Sequence, residues 1–286
     1  MPSNNSPTDA DLKTMGWFAV AAALSIAVGS IGLAASGVPL GTWVRTPMAF
    51  GGGLLLAFAL VRAGRTRGLV VGSMVLAVAG LAGTMLAPGQ AGIHRWIDAG
   101  PLHVNIAATL LPLAIVALAE TPARVFLVGT GAIAALLVAQ PDASQVTAFS
   151  LAAALLFLGR RDLSPAMTFG GLLGLAALTI VAWLRPDPLQ PVPEVEGVFA
   201  LLANTSLPLA AAAAVALAAT ALLPLRRKSP SRRMPSGAPL AAYFTAVSIM
   251  PLAGAYQVPL VGVGMSFPIG WLLGMAFLCA PRQRWE

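Results

Sequence analysis

Charged residues are scarce in this chain of 286 residues, of which only 9% are Asp, Glu, Lys or Arg. A soluble domain of this size carries about a quarter. Hydrophobic residues make up 58% of the chain and are spread along its whole length, which a single buried core could not absorb. The composition therefore excludes a soluble globular protein and predicts an all-α, polytopic membrane protein that has the lipid bilayer as its surroundings.

Cysteine and histidine are almost absent. The one cysteine, Cys279, excludes an internal disulfide and a cysteine-based metal site. His94 and His103 are the two histidines, and two such residues make a poor metal site, so we expect neither a metal nor a cofactor. Residues 1–14 are polar and lack a basic region, which predicts a disordered cytoplasmic tail rather than a cleavable signal peptide.

Ten apolar runs are long enough to cross about 30 Å of hydrocarbon as helices. They lie at 15–36, 46–63, 69–87, 104–120, 123–140, 144–159, 165–184, 198–224, 239–256 and 261–280. The sequence thus predicts one transmembrane domain over residues 15–280, a bundle of about ten helices, followed by a cytoplasmic tail at 281–286.

The basic residues predict the orientation of this bundle. With both chain ends in the cytoplasm, all but three of the 17 basic residues fall inside, as the positive-inside bias requires. The exceptions are Arg45, Arg95 and Arg185. The basic excess then faces anionic lipid, and we do not interpret it as nucleic-acid binding.

Polar residues interrupt the apolar pattern in three predicted outer connections. Residues 94–101 form a short island that contains Arg95 and Trp96. The acidic residues of the three connections are Asp98, Asp142 and the pair Glu194 and Glu196. A bundle can bring these connections together above a central cleft. One carboxylate would then take the proton of an attacking hydroxyl while Arg95 stabilises an anionic leaving group, which predicts group transfer onto a hydroxyl.

Each of these residues also has a simpler structural interpretation. Trp96 could anchor the chain at the membrane interface. Arg95 could form a salt bridge with Asp98 or Asp142, and Asp142 could cap the sixth span. Glu194 and Glu196 could be solvated loop charges.

Four segments resemble the SEDS family, the RodA/FtsW group. Residues 95–100 are similar to the Arg-Trp-(Ile/Leu)-Asp-x-Gly segment before the fourth span of that family. Residues 140–142 match its Gln-Pro-Asp at the end of the fifth span. Residues 193–200 resemble the Pro-Glu-x-x-x-Asp-Phe-Ile-Phe-Ala segment that opens the eighth span, and residues 259–267 resemble the stretch that leads into the tenth. The four matches occur in the family's order.

The resemblance implies a role in bacterial cell shape or division. SEDS proteins are peptidoglycan glycosyltransferases of the cytoplasmic membrane that polymerise lipid II, an undecaprenyl-pyrophosphate-linked disaccharide-peptide, with a single-span class B penicillin-binding protein. By this resemblance Glu196 takes the place of the family's essential aspartate and is the candidate base. Arg95 would face pyrophosphate, with Asp98 and Asp142 positioning both groups. The residues expected to bind substrate are Trp96, Gln140, Glu194 and Phe267.

The chain also departs from the family's pattern. The Glu and Lys of the Gln-Pro-Ser-Glu-Leu-Ala-Lys segment fall on Ala108 and Leu111. This loss motivates a second hypothesis, a catalytically inactive subunit that acts as a scaffold in a larger complex. A lipid or solute carrier has less support, because carriers usually show ionisable residues within their spans and this chain has few.

Overall fold

The computed structural model describes residues 7–100, 102–227 and 236–283. The chain folds into α-helices and one small antiparallel hairpin. The helices are α1 (Asp9–Ala35), α2 (Leu40–Trp43), α3 (Arg45–Ala63), α4 (Arg67–Thr84), α5 (Ile106–Leu118), α6 (Ala123–Ala139), α7 (Ala143–Gly159), α8 (Pro165–Leu184), α9 (Val198–Thr205), α10 (Leu207–Leu222), α11 (Ala238–Ile249) and α12 (Ser266–Cys279). The hairpin pairs β1 (Trp96–Ala99) with β2 (Leu102–Asn105). The predicted helical class is confirmed.

Within the described residues, five helical stretches are long and apolar enough to cross a membrane. They are α1, Leu40–Ala63, α4, α8 and Leu207–Arg226. Five shorter apolar helical stretches occupy the other predicted runs, at α5, α6, α7, Ala238–Leu252 and α12. The shortest, α5, spans about 20 Å at 1.5 Å per residue, which is less than the hydrocarbon thickness. Each of the ten predicted runs therefore contains a helix, while half of these helices fall short of a full crossing by length.

Several predicted runs end differently in the structure. The run 198–224 is divided at Ser206, which has an extended backbone, because Pro208 has no amide hydrogen to continue the helix. The run 261–280 begins irregularly and becomes helical only at Ser266. The run 104–120 begins in β2, since Asn105 accepts the Ala108 amide and caps α5. The run 239–256 leaves the α-helix after Ile249, just before Pro251.

The first helix begins inside the predicted tail 1–14. Thr8 caps α1 by accepting the Asp11 amide, and the buried Asp11 carboxylate lies 2.8 Å from Arg227. Residues 1–6 of the predicted tail lie outside the described residues. In the predicted tail 281–286, the Gln283 amide donates to the Arg65 carbonyl, and residues 284–286 again lie outside the described part.

Helix α12 lies at the centre of the bundle and packs against α3 and α5. Gly270 contacts the Ala108 carbonyl and Gly274 contacts Pro112, and a Cβ at either glycine would collide with the α5 backbone. Small residues permit this close approach of two helices. The packing fixes the start of α12 beside Asn105, whose backbone amide donates to Ser266 Oγ at 2.8 Å. Four irregular segments gather at that end of the bundle.

Candidate functional site

A cavity of about 300 Å³ opens at the end of the bundle where the hairpin lies. Its walls come from the hairpin, the start of α7, the loop 185–197, and the segment between α11 and α12. We call this the cavity end. Five of the predicted site residues line the cavity: Arg95, Trp96, Asp142, Glu196 and Phe267. The other three predicted residues, Asp98, Gln140 and Glu194, are absent from its wall as described.

Arg95 is the centre of a buried ion cluster. It is 4% exposed, its Nη2 donates to Asp187 Oδ2 at 2.7 Å and to the Pro141 carbonyl, and its Nε lies 3.5 Å from Asp142 Oδ2. Burial acts to lower the pKa of the Arg95 guanidinium, but the Asp142 and Asp187 carboxylates outweigh it and raise that pKa above its usual value. Arg95 is therefore a permanent cation held between two carboxylates.

Asp142 caps α7, as the simpler interpretation of the sequence predicted. Its Oδ1 accepts the Gln145 amide at 3.2 Å and the Ser144 hydroxyl at 2.9 Å. Asp142 is 2% exposed, and the ion pair with Arg95 compensates the burial of its carboxylate. The cap and the ion pair together fix Arg95 relative to the helix that follows.

Glu196 lies in a tight turn just before α9. Its Oε2 accepts the Val192 amide at 2.7 Å, and the carboxyl group is half-buried on the cavity wall. Burial raises the pKa of the Glu196 carboxyl above its usual value of 4.5, and the neighbouring Glu194 adds to this. A carboxylate with a raised pKa is a stronger base than an exposed one, which suits proton abstraction.

Backbone hydrogen bonds hold the Glu196 turn in place. The Val258 amide donates to the Val195 carbonyl at 3.2 Å, and the Val263 amide donates to the Glu194 carbonyl at 2.9 Å. Gly262 faces the Val195 carbonyl so closely that a Cβ at this position would collide with it. The position of the Glu196 turn thus depends on the segment between α11 and α12.

The hairpin places its aromatic and acidic residues differently. Trp96 on β1 stacks on the His103 ring with centroids 5.1 Å apart and is also part of the cavity wall. The Asp98 carboxylate accepts a hydrogen bond from His103 Nδ1 rather than pairing with Arg95, and its side chain is 60% exposed. Phe267, in the first turn of α12, is buried and closes the cavity from within.

Gln140 lies in the interior at the end of α6. Its Nε2 donates to Thr84 Oγ1 at 2.6 Å and to the Leu81 carbonyl at 3.1 Å, which joins α6 to α4. Glu194 contributes its backbone carbonyl to the turn described above, whereas its side chain is absent from the cavity wall as described. These contacts give both residues a structural function in the fold.

Two residues of this end were missed in the sequence. No motif marks Asp187, although an acid in the proline-rich loop 185–197 is a natural partner for an arginine on the same predicted side. No motif or charge in the sequence marks Tyr256 as a site residue. Its ring centroid lies 5.9 Å from the Arg95 guanidinium carbon and 6.0 Å from the Trp183 ring centroid. Burial, reinforced by Asp142, raises the pKa of Tyr256 to about 12, so its hydroxyl stays protonated.

The described residues offer no obvious metal site. Within residues 7–100, 102–227 and 236–283, no three side chains of His, Cys, Asp or Glu come close enough to hold a metal ion. The polar groups on the cavity wall are carboxylates, guanidinium groups, an imidazole, a phenol, hydroxyls and amides.

Solved structures with the same fold exist. Thermus thermophilus rod shape determining protein RodA has a TM-score of 0.55 and 22% identity, covering 92% of this chain and 94% of RodA. A point mutant of that RodA gives 0.59 and 21%, covering 92% and 95%. A chain of a peptidoglycan synthase complex, described for its coordination of polymerization and crosslinking, gives 0.66 and 20%, covering 92% and 96%.

No protein-family model and no curated protein matches the chain. At about 21% identity, the likeness to solved structures concerns the fold. It agrees with the four segments that resemble the RodA/FtsW group, because both lead to the same architecture. The chain has the polytopic helical fold of RodA.

Proposed function

We propose that the chain is a bacterial cytoplasmic-membrane subunit of peptidoglycan synthesis, and that it polymerises a lipid II-like substrate carried on undecaprenyl pyrophosphate. The observation that carries the proposal is the position of Glu196. In a RodA fold, its half-buried carboxylate with a raised pKa lies on the wall of a cavity large enough for part of a sugar. The resemblance expects the essential acid at this place.

The proposed reaction is transfer of a glycosyl group onto a hydroxyl. Glu196 takes the proton from the attacking sugar hydroxyl, whose oxygen then forms the bond to the anomeric carbon of a second substrate. The bond from that carbon to the pyrophosphate oxygen breaks, and the lipid pyrophosphate leaves with the electron pair. The Tyr256 hydroxyl stays protonated and can donate a hydrogen bond to this site.

The remaining predicted residues divide into three groups under this proposal. Arg95 and Asp142 act as positioning residues, because their buried ion pair fixes the hairpin against α7. Trp96 and Phe267 are apolar walls that contact substrate. Substrate contact by Asp98, Gln140 and Glu194 gains no support from the cavity wall. The likeness to a chain of a peptidoglycan synthase complex supports a class B penicillin-binding protein as partner.

A second candidate function is that of an inactive scaffold. Ala108 and Leu111 occupy the places where the resemblance expects Glu and Lys, and both are fully buried in α5. The Ala108 carbonyl is in contact with Gly270 of α12, so the site of the missing pair is filled by helix packing. A scaffold would co-purify with a partner and form no polymer.

Polymerisation of labelled lipid II tests the proposal. The purified protein is assayed alone and with a class B penicillin-binding protein, as parent and as Glu196→Gln. We expect polymer from the parent and a loss of at least about 100-fold in Glu196→Gln, which keeps the size of the side chain but cannot accept the proton. Asp162→Asn, a carboxylate neutralised at an exposed site, is the control and should retain the parental rate. Folded parent that binds its partner and makes no polymer would support the scaffold.

A further inference from the structure

The three arginines predicted on the outer side have different surroundings at the cavity end. Arg95, which the sequence assigned to pyrophosphate, is already held by Asp142 at 3.5 Å and Asp187 at 2.7 Å. An anionic ligand at Arg95 would have to displace a carboxylate in a buried setting or lie beside two negative charges. Either alternative is unfavourable, since it leaves a carboxylate in a poorly solvated setting without its counter-charge.

Arg185 is also engaged and lies elsewhere. Its guanidinium donates to the carbonyls of Val138 and Ala139 at the end of α6, and it is absent from the described cavity wall. It therefore compensates the free carbonyls of a helix end.

Arg45 differs from both. It lines the cavity and is exposed, and its side chain makes no hydrogen bond or ion pair with the described residues. Among these three arginines it is the one whose charge is not already matched by partners in the described part of the chain. A cation on the outer side runs against the positive-inside bias, so an uncompensated one calls for an external partner.

The backbone of Arg45 is fixed even though its side chain is free. Thr46, the next residue, is buried, accepts the Gly264 amide at 3.0 Å and lies 3.5 Å from the Gly262 carbonyl. The same segment between α11 and α12 holds the Glu196 turn through the Val258 and Val263 amides. Arg45 and Glu196 are thus attached to one frame and face one cavity.

We propose that Arg45 is the phosphate-binding residue of this cavity and that it receives the pyrophosphate of a lipid-linked ligand, while Arg95 serves as an internal strut. The inference rests on the proposed function for the identity of the ligand. A guanidinium suits this purpose because its planar fork can donate two hydrogen bonds to phosphate oxygens. The side-chain amide groups of Gln90 and Gln257 lie on the same wall and can donate further, uncharged hydrogen bonds to a phosphate.

Phosphate could reach Arg45 from two sources. One is a lipid pyrophosphate whose head enters the cavity, and the other is the headgroup of an ordinary phospholipid beside the start of α3. The two sources share their chemistry but differ in whether the cavity contributes. Binding experiments with one lipid of each kind separate them.

The experiment measures the affinity of the purified full-length protein for undecaprenyl pyrophosphate and, separately, for phosphatidylglycerol vesicles. The variants are Arg45→Gln and Arg45→Lys, with Arg185→Gln as the matched control. We expect Arg45→Gln to weaken undecaprenyl pyrophosphate binding about tenfold, the size expected for loss of one charged hydrogen-bonding group. Arg45→Lys should keep part of the affinity, Arg185→Gln all of it, and phosphatidylglycerol binding should not change.

Three results would overturn the inference. Parental binding that survives Arg45→Gln unchanged removes Arg45 as the phosphate site and leaves the proposed function intact. An equal loss of both lipids makes Arg45 a general bilayer anchor. A parent that binds no undecaprenyl pyrophosphate removes the proposed function together with the inference. Should Arg45→Gln fail to fold, Arg45→Lys provides the test, because it keeps the charge and loses only the fork.

Discussion

Both ends of the bundle contain a buried arginine–carboxylate cluster, but their charge ratios are opposite. At the cavity end, one arginine, Arg95, lies between two carboxylates. At the other end, which we call the terminal end because Asp11 and Arg282 lie there, one carboxylate accepts from two arginines. Glu120 Oε1 lies 3.1 Å from Arg65 and 2.5 Å from Arg282.

The terminal cluster ties chain segments together. Arg65 donates from Nε to the Ala280 carbonyl at 3.0 Å, and its backbone amide donates to the Pro281 carbonyl at 2.7 Å. Burial lowers the pKa of Arg65 to about 10, although Glu120 opposes this, so the residue remains charged at neutral pH. These contacts join the α3–α4 connection to the residues after α12.

The comparison shows that a buried ion pair does not by itself mark a functional site. Both clusters join segments that are distant in the sequence. What distinguishes the cavity end is the presence of side chains that the cluster leaves unused, Glu196 and Arg45, on the wall of the same cavity. Function is therefore expected to depend on those two residues and stability on Arg95.

The largest expected effect on stability is that of Arg95→Met. This change leaves the buried Asp142 carboxylate and the partly buried Asp187 carboxylate without their cation, and it should destabilise the fold by about 3–5 kcal/mol. Thermal unfolding of the detergent-purified protein measures it. Arg185→Met, which removes only contacts to exposed carbonyls, should cost about 0.5 kcal/mol. Equal melting temperatures for the two variants would show that the Arg95 cluster does not stabilise the fold.

Glu120→Gln should have a smaller effect at the terminal end. The amide can still accept a hydrogen bond from Arg65, but two arginines then face each other without a carboxylate. We expect a loss of about 2 kcal/mol, and we expect high salt to reduce the difference from the parent because Arg282 is exposed. A variant as stable as the parent at low salt would contradict the assigned function of this cluster.

The pH dependence of polymerisation should report Glu196. A base must be deprotonated, so the rate should fall about tenfold per pH unit below the pKa of that carboxyl. Because the pKa is raised, this decline should begin above the usual glutamate value of 4.5. The stability of the fold should change in the opposite direction from the rate. It should rise as the pH falls, because protonation of Glu196 relieves the cost of burying its charge. A rate that stays constant down to pH 4.5 would exclude Glu196 as the base.

The smallest effect is expected from Asp98→Asn. The hydrogen bond between Asp98 and His103 is exposed on the hairpin, and an exposed polar contact of this kind contributes about 0–1 kcal/mol. The melting temperature and the polymerisation rate should both stay close to those of the parent. A strong loss of activity without unfolding would return Asp98 to the site that the sequence predicted.

The sequence was sufficient for the helical class and the polytopic fold because apolar helices depend on local hydrophobicity. Every predicted apolar run contains a helix, and Asp142 caps α7 as its position after Pro141 indicated. The predicted helix boundaries were wrong where a proline or a side-chain cap interrupts an apolar run, at Ser206 and at Asn105. These effects depend on one or two residues and are invisible to an average over a run.

Sequence reasoning identified five of the residues that line the cavity but missed a partner of Arg95. Arg95, Trp96, Asp142, Glu196 and Phe267 line one cavity, whereas Asp98, Gln140 and Glu194 are absent from its wall as described. Asp187, a partner of Arg95, lies 92 residues further along the chain. Their contact depends on how the proline-rich loop 185–197 folds back. Tyr256 and Arg45 belong to segments without a motif, so only the three-dimensional packing brings them to the cavity.

One paired measurement tests the comparison most directly. Glu196→Gln and Glu120→Gln neutralise one carboxylate at each end, and each folded variant is assayed for its melting temperature and its rate of lipid II polymerisation. We predict that Glu196→Gln abolishes polymer and keeps the melting temperature, and that Glu120→Gln lowers the melting temperature and keeps the rate per folded molecule. A polymerising Glu196→Gln variant, or equal loss of activity in both, would contradict the account.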